Sequence, residues 1–258
     1  MIPASRVISL APTQTEIIAA LGQAARLIGV SENCDYPRDV LSIPKYGSWY
    51  APDLGSVVRS LPDLVCTFGQ HQEEIAGALQ DEGLRVYHSA PSTVDASLCT
   101  FEELSDLLGC RAEARELLTG LVKRLEAVKG RIRGLKERER PRVLRIMNWE
   151  PLVTVGPGAF QHDVIEVAGG RNVFAGANEP YVAAEHKDAQ EKNPQLIFYC
   201  EEFITEAIGR GAGWSGIDAV KEGRLFVFDC GLTCRSGPRI VDMVEALARA
   251  MHPSLFVS

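Results

Sequence analysis

The chain has 258 residues, 46% of them apolar and 24% charged, with a formal net charge of -7. No stretch approaches the ~20 uninterrupted apolar residues of a membrane-spanning helix, and the acidic balance lacks the clustered Lys and Arg of a nucleic-acid footprint. The length allows one large domain or two smaller ones, each able to bury a core. Seven cysteines (Cys34, Cys66, Cys99, Cys110, Cys200, Cys230, Cys234) is an odd number in a chain too large to need a disulfide framework, so some thiols are free or bind something.

Met1-Ile2-Pro3-Ala4-Ser5 leads directly into a strand-like run, without a basic and then apolar leader. Two locations follow: cytoplasmic if Met1 is native, periplasmic or cell-envelope if a signal was removed. Arg6 to Leu10 is a short β-branched run. Thr13 and Glu16 then have the spacing of a capping box, which predicts an amphipathic helix ending at Gly22. Leu27 to Val30 is the next strand, and the polar segment Ser31 to Arg38 is a loop leaving its end. Leu61 to Gly69 predicts a buried strand, Gln72 to Asp81 a helix stopped by Gly83, and Leu84 to His88 another strand. The second half repeats the order, with strands at Asn193 to Cys200 and Gly223 to Cys230 around a helical stretch from Glu202 to Ile208. Two related α/β lobes follow from this repetition.

Between the halves, Leu117, Leu118, Leu121, Val122, Leu125, Val128, Ile132 and Leu135 recur three or four residues apart, which predicts a helix over Glu113 to Glu139 of roughly 40 Å, stopped by Pro141. The Lys and Arg interleaved with Glu along it read as a solvated face. The expected division is therefore an N-terminal lobe over 1–110, a backbone helix over 111–140 and a C-terminal lobe over 141–258.

The segments RVISLAPTQTEIIAALG, LIGVSENCDYP, LPDLVCTFG and GRLFVFDCGLTCRSGPRIVDMVEALA resemble, across essentially the whole chain, the helical-backbone (class III) solute-binding proteins of ABC importers for cobalamin, haem and iron siderophores. The resemblance is closest to the cobalamin-binding branch. It implies two Rossmann-like lobes with central sheets flanked by helices, a ligand cleft between them, and a monomer that delivers a metal-containing chelate to a permease dimer in the membrane. Ligands of parallel α/β sheets bind outside the carboxyl ends of the strands. By that rule the expected ligand-binding residues are Cys34, Tyr36, Trp49, Tyr50 and Phe68 from the first lobe, with Trp149, Tyr181 and Arg235 from the second. Aromatic rings suit a flat macrocycle, and an Arg suits its carboxylate, amide or phosphate groups. The resemblance also implies one acidic docking residue per lobe. Glu73 matches in the first lobe, whereas counting back from Asn193 puts Lys187 at the second position.

Cys34, Cys200, Cys230 and Cys234 all fall at expected strand ends, and Cys230-Gly-Leu-Thr-Cys234 is a C-x3-C spacing on a Gly-containing loop. The set is compatible with a cysteine-ligated metal centre or an iron-sulfur cluster, with an axial ligand to the metal of a cobalamin or related corrinoid, and with buried or paired thiols, haem and a ferric siderophore being the alternative cargoes. Cys99 and Cys110 lie on a helical stretch and read as core. No HExxH, GxxxxGK[ST] or GxSxG pattern is present. Gly211 to Gly216 satisfies GxGxxG but follows a helix, so it reads as a loop. The five histidines show no triad or ligand spacing. The chain therefore reads as a binding protein without a catalytic cofactor, the alternative being a cytosolic cofactor-handling protein or metal chaperone.

Overall fold

The computed structural model describes residues 2–257. The chain divides into two compact units: the first runs to Pro91 and adds Asp95–Leu121 and Ser236–Pro238, and the second comprises Ser92–Val94, Val122–Arg235 and the chain from Arg239 onward.

In the first unit, β1 (Val7–Ser9), α1 (Pro12–Ala20), β2 (Leu27–Val30), α2 (Leu54–Arg59), β3 (Leu64–Phe68), α3 (Glu73–Asp81) and β4 (Val86–Ser89) precede α4 (Val94–Leu108) and α5 (Arg111–Ile132). The sheet order is β2-β1-β3-β4, all parallel. β1 is buried along its whole length, as apolar runs covered on both faces require. Ile8, Leu10, Val57, Val65 and Leu79 form a core cluster of this unit. Gly29 of β2 lies against Tyr46, and a Cβ there would stand 2.2 Å from the ring. Gly29→Ala is therefore expected to displace Tyr46 from its 2.6 Å bond to Ser60 Oγ and to destabilise the protein by about 1–3 kcal/mol, read as a lowered denaturant midpoint.

Two helices differ from expectation. α1 has no capping box: it opens with Pro12 after an extended Ala11, and no side chain caps it. The fixed φ of proline already fits the first helical position, so the N-cap falls on Ala11, which has no side-chain acceptor, and Thr13 lies inside the helix. Residues Thr13 to Ile18 are all buried, so α1 is enclosed instead of amphipathic. α5 ends at Ile132, about 33 Å at ~1.5 Å per residue. Arg133 and Gly134 form a turn there, and Glu139 folds back to accept the Lys136 N–H at 2.7 Å, so Leu135 to Glu139 leave the helix before Pro141 is reached. Leu121, Leu125, Val128 and Ile132 form its buried stripe. Its basic face is only partly solvated, because Arg124 pairs with Glu245 at 2.9 Å and with Asp242. The line between the two units falls inside this helix, between Leu121 and Val122.

The second unit contains β5 (Arg142–Arg145), β6 (Leu152–Val155), α6 (Phe160–Val167), β7 (Arg171–Asn172), β8 (Tyr181–Ala184), α7 (His186–Glu191), β9 (Leu196–Tyr199), α8 (Phe203–Arg210), α9 (Asp218–Lys221), β10 (Leu225–Val227), α10 (Cys230–Thr233) and α11 (Ile240–Met251). Its four-stranded sheet is β10-β9-β5-β7, again all parallel, and β6 with β8 forms a separate antiparallel pair. Set that pair aside, and both sheets run second, first, third, fourth in chain order. The repetition extends to backbone detail. The two non-glycine residues with left-handed φ among those described, Leu61 (φ 48°) and Asn193 (φ 44°), each precede a Pro-x-Leu that enters the third strand of its sheet.

Candidate functional site

In the first unit β1, β2 and β3 deliver their carboxyl ends at Ser9, Val30 and Phe68. Trp49, on the segment after β2, packs edge-on against Tyr50 (ring centroids 4.6 Å apart) and His71 (5.5 Å), and Tyr50 and His71 are 5.9 Å apart. The Trp49 N–H donates to Asn33 Oδ1 at 2.7 Å, and its carbonyl accepts from Gln72 Nε2 at 2.8 Å. Gln72 is fully buried; it also donates to the Leu10 carbonyl at 3.0 Å and accepts the Phe68 N–H at 2.8 Å. One amide thus ties together the ends of β1 and β3 and the aromatic loop. Tyr36 and Tyr50 are exposed, and Phe68 is half-buried. His71 and Gln72 escape sequence reasoning, because neither lies in a motif and their contacts to Leu10, Trp49 and Tyr50 reach twenty or more positions away.

Cys34 does not present its thiol as a ligand. It is buried, with Thr15 Oγ1 at 3.1 Å and Ser31 Oγ at 3.2 Å, and burial pushes the thiol pKa up. Cys34 therefore packs the base of the loop after β2 and leaves the thiol set. Cys99, expected in the core, is exposed on α4, and Cys110 is buried.

In the second unit β5, β9 and β10 end at Arg145, Tyr199 and Val227. Cys200 follows β9 directly. The C-x3-C segment is a single helical turn instead of a loop, with Cys230 opening α10 and Cys234 capping it. Residues four apart on a helix share a face, so the two sulfurs stand 3.5 Å apart, and with Cys200 all three lie within 4.8 Å of one another. Behind them sits Arg145, fully buried, whose Nη2 reaches Cys234 Sγ at 3.5 Å, Cys200 Sγ at 3.6 Å and Thr233 Oγ1 at 3.3 Å, while Nη1 donates to the Ile146 carbonyl. Hydrogen bonds from Cys200 and Cys230, reinforced by the guanidinium, hold Cys234 far below the usual thiol range. Bonding to Cys200 and Cys234 together with burial pushes Cys230 strongly up. Loss of solvent around the ring, with Cys234 nearby, raises the Tyr181 phenol, and Arg235 follows Cys234 partly buried.

Trp149 packs edge-on with His186 (4.4 Å) and tilted against the buried Trp214 (5.2 Å), half-buried at the edge of the second unit's core. The Gly211 to Gly216 motif has the same origin. It follows α8, Gly213 takes φ 82° against Gln190, and Trp214 turns into the core.

Glu73 is the exposed first residue of α3, followed by Glu74. Lys187 lies exposed on α7, 3.7 Å from Glu191. By strand order, however, the counterpart of α3 is α8, the first helix after the third strand of its sheet, and exposed Glu201 and Glu202 immediately precede it. Aligning Pro62-Asp63-Leu64 with Pro194-Gln195-Leu196 brings Glu74 opposite Glu206, so the sequence already offers an acid in the first turn of that helix.

The sequence pattern of the periplasmic binding protein family matches residues 7–230. The chain is 27% identical over 257 residues to the uncharacterized ABC transporter substrate-binding lipoprotein YvrC of Bacillus subtilis (strain 168), covering 97% of this chain and 81% of that one. It is 27% identical over 245 residues to the vitamin B12-binding protein of Vibrio cholerae serotype O1 (strain ATCC 39315 / El Tor Inaba N16961), covering 94% and 87%. The crystal structure of the periplasmic vitamin B12 binding protein BtuF of Vibrio cholerae superposes with a TM-score of 0.85 at 25% identity, over 99% of each chain. On this evidence the chain belongs to the periplasmic binding protein family.

Proposed function

We propose that the chain is the solute-binding component of an ABC importer, that its cargo is a corrinoid of the cobalamin type, and that it passes the cargo unchanged, as a monomer, to a permease dimer. The observation that carries this reading is the Trp49, Tyr50 and His71 cluster, fixed by Gln72 at the carboxyl ends of a parallel sheet. Such a rigid aromatic surface suits a large, flat, partly apolar ligand. The likeness in sequence to the vitamin B12-binding protein supports a corrinoid as the cargo. The names of the periplasmic B12 binding protein and of the lipoprotein relative favour a place in the cell envelope over the cytoplasm.

Calorimetry with cobalamin, cobinamide, haem and a ferric siderophore tests the choice of cargo. Saturable binding of cobalamin at one equivalent supports the reading, and binding of haem or the siderophore alone overturns it. For docking, Glu73 and the Glu201-Glu202 pair are the acidic groups proposed to meet basic permease residues. Glu73→Lys combined with Glu202→Lys is expected to abolish cobalamin uptake in vesicles carrying the permease while leaving cobalamin affinity within about twofold, since exposed charges contribute to encounter and register. Uptake at the wild-type rate would remove these residues from docking.

A further inference from the structure

We propose that Cys200, Cys230 and Cys234 form a three-thiolate site for one soft divalent metal ion, with Arg145 as the buried cation that balances its charge. The site lies wholly within the second unit and does not depend on the cargo.

Three observations support it. First, the spacing fits a single ion. A zinc-thiolate bond of about 2.3 Å places three sulfurs around one metal about 4 Å from one another, and these three already lie within 4.8 Å, with Cys230 and Cys234 at 3.5 Å. A 4Fe–4S cluster places each cysteine on a different iron and a 2Fe–2S cluster places two on each, so three sulfurs gathered around one point favour a single ion over a cluster. Second, the backbone positions the sulfurs without strain: two stand at the ends of one helical turn and the third at the end of β9, whose neighbour β10 leads into that turn. Third, Arg145 pairs with no carboxylate among the described residues and aims its Nη2 at two of the three sulfurs. Three thiolates around a divalent ion leave one net negative charge, which a single guanidinium cancels, whereas a univalent ion would leave two. On binding, the ion replaces the thiol protons, which pass to solvent. Cys230 is exposed, which provides the path of entry. The fourth coordination position stays open to water or to a donor atom of a bound ligand.

The test uses the full chain, reduced with a non-thiol phosphine and kept anaerobic, titrated with Co(II) and then Zn(II). A sulfur-to-cobalt charge-transfer band that saturates at one equivalent and is bleached by Zn(II) is expected. Cys230→Ser combined with Cys234→Ser should lose the band and weaken Zn(II) affinity at least ~100-fold, and Arg145→Lys should weaken it by about 10–100-fold as an outer partner of the ligands. Cys99→Ser, on the exposed side of α4, should bind as wild type. Zn(II) should raise the melting temperature of the wild type and not that of the double variant, which separates loss of the site from loss of the fold. The proposal is overturned by a reduced protein that shows no band, by a band retained in the double variant, or by a Cys230-Cys234 disulfide that persists under reductant with no metal uptake. Failure to bind cobalamin would leave this result untouched.

Discussion

Replacing Gln72 by leucine is expected to cost about 4 kcal/mol of stability and most of the cobalamin affinity. The buried amide makes three hydrogen bonds, to the Leu10 carbonyl, the Trp49 carbonyl and the Phe68 N–H. Leucine fills a similar volume and can answer none of them. Each main-chain group left buried without a partner carries a penalty of about 1–3 kcal/mol, larger than the ~1 kcal/mol net value of an ordinary hydrogen bond. Three such groups together would cost about 3–9 kcal/mol, and partial relief from water at the loop keeps the total near the lower end. The consequence for binding follows from what the amide joins: without it the Trp49 loop is no longer pinned to the strand ends, and an ordered aromatic surface must be assembled at the moment of binding. Urea unfolding reads the stability change, and calorimetry with cobalamin reads the second. A variant with wild-type midpoint and affinity would show that Gln72 does not organise the loop.

Trp214→Ala is expected to cost about 3–5 kcal/mol, the range for truncating a buried aromatic. Trp214 is 1% exposed and packs in the second unit's core with Ile146, Ile204, Ile208 and Ile217, carrying Trp149 and His186 on its ring. At roughly 2–4 °C per kcal/mol for a chain of this size, the melting temperature should fall by about 6–20 °C. Trp149→Ala removes a ring that is only partly buried and should cost clearly less. Equal losses in the two variants would mean that the core is not centred on Trp214.

The sheet-forming runs were largely legible because strands buried on both faces are nearly continuous in apolar residues. Leu27–Val30 lies where its apolar run predicts it, and β1, β3 and β9 lie inside theirs with trimmed ends. The repetition between halves was legible too, and the strand order makes it stronger than residue identity suggests. Helix termini were less so. At Thr13 and Glu16 a capping pattern competes with Pro12, and the proline wins; at Arg133-Gly134 the apolar stripe runs on to Leu135 while the backbone turns. The β6 and β8 pair and the two-residue β7 went unread, since segments of two to four residues carry little periodicity.

At the candidate site, the strand-end rule finds Trp49, Tyr50 and the second-unit cysteines, because it needs only strand direction. It fails where a side chain's role depends on distant partners. Cys34 looks like a ligand until Thr15 and Ser31 close around its sulfur, and Trp149 reads as a lone strand-end ring although His186 and Trp214 pack against it. Arg145 left a signal that could have been read, an arginine inside the apolar run Val143-Leu144-Arg145-Ile146, which a buried strand tolerates only with partners for the charge.

The proposed role of this periplasmic binding protein as a corrinoid receptor is tested most directly by titrating the purified full chain with cobalamin in a calorimeter and recovering the ligand for chromatography. The expected result is saturation at one equivalent, an affinity reduced about 30-fold by Trp49→Ala, as for loss of an aromatic anchor worth ~2 kcal/mol, and cobalamin recovered unaltered. No saturable binding, or a recovered corrinoid that has been chemically changed, would contradict it.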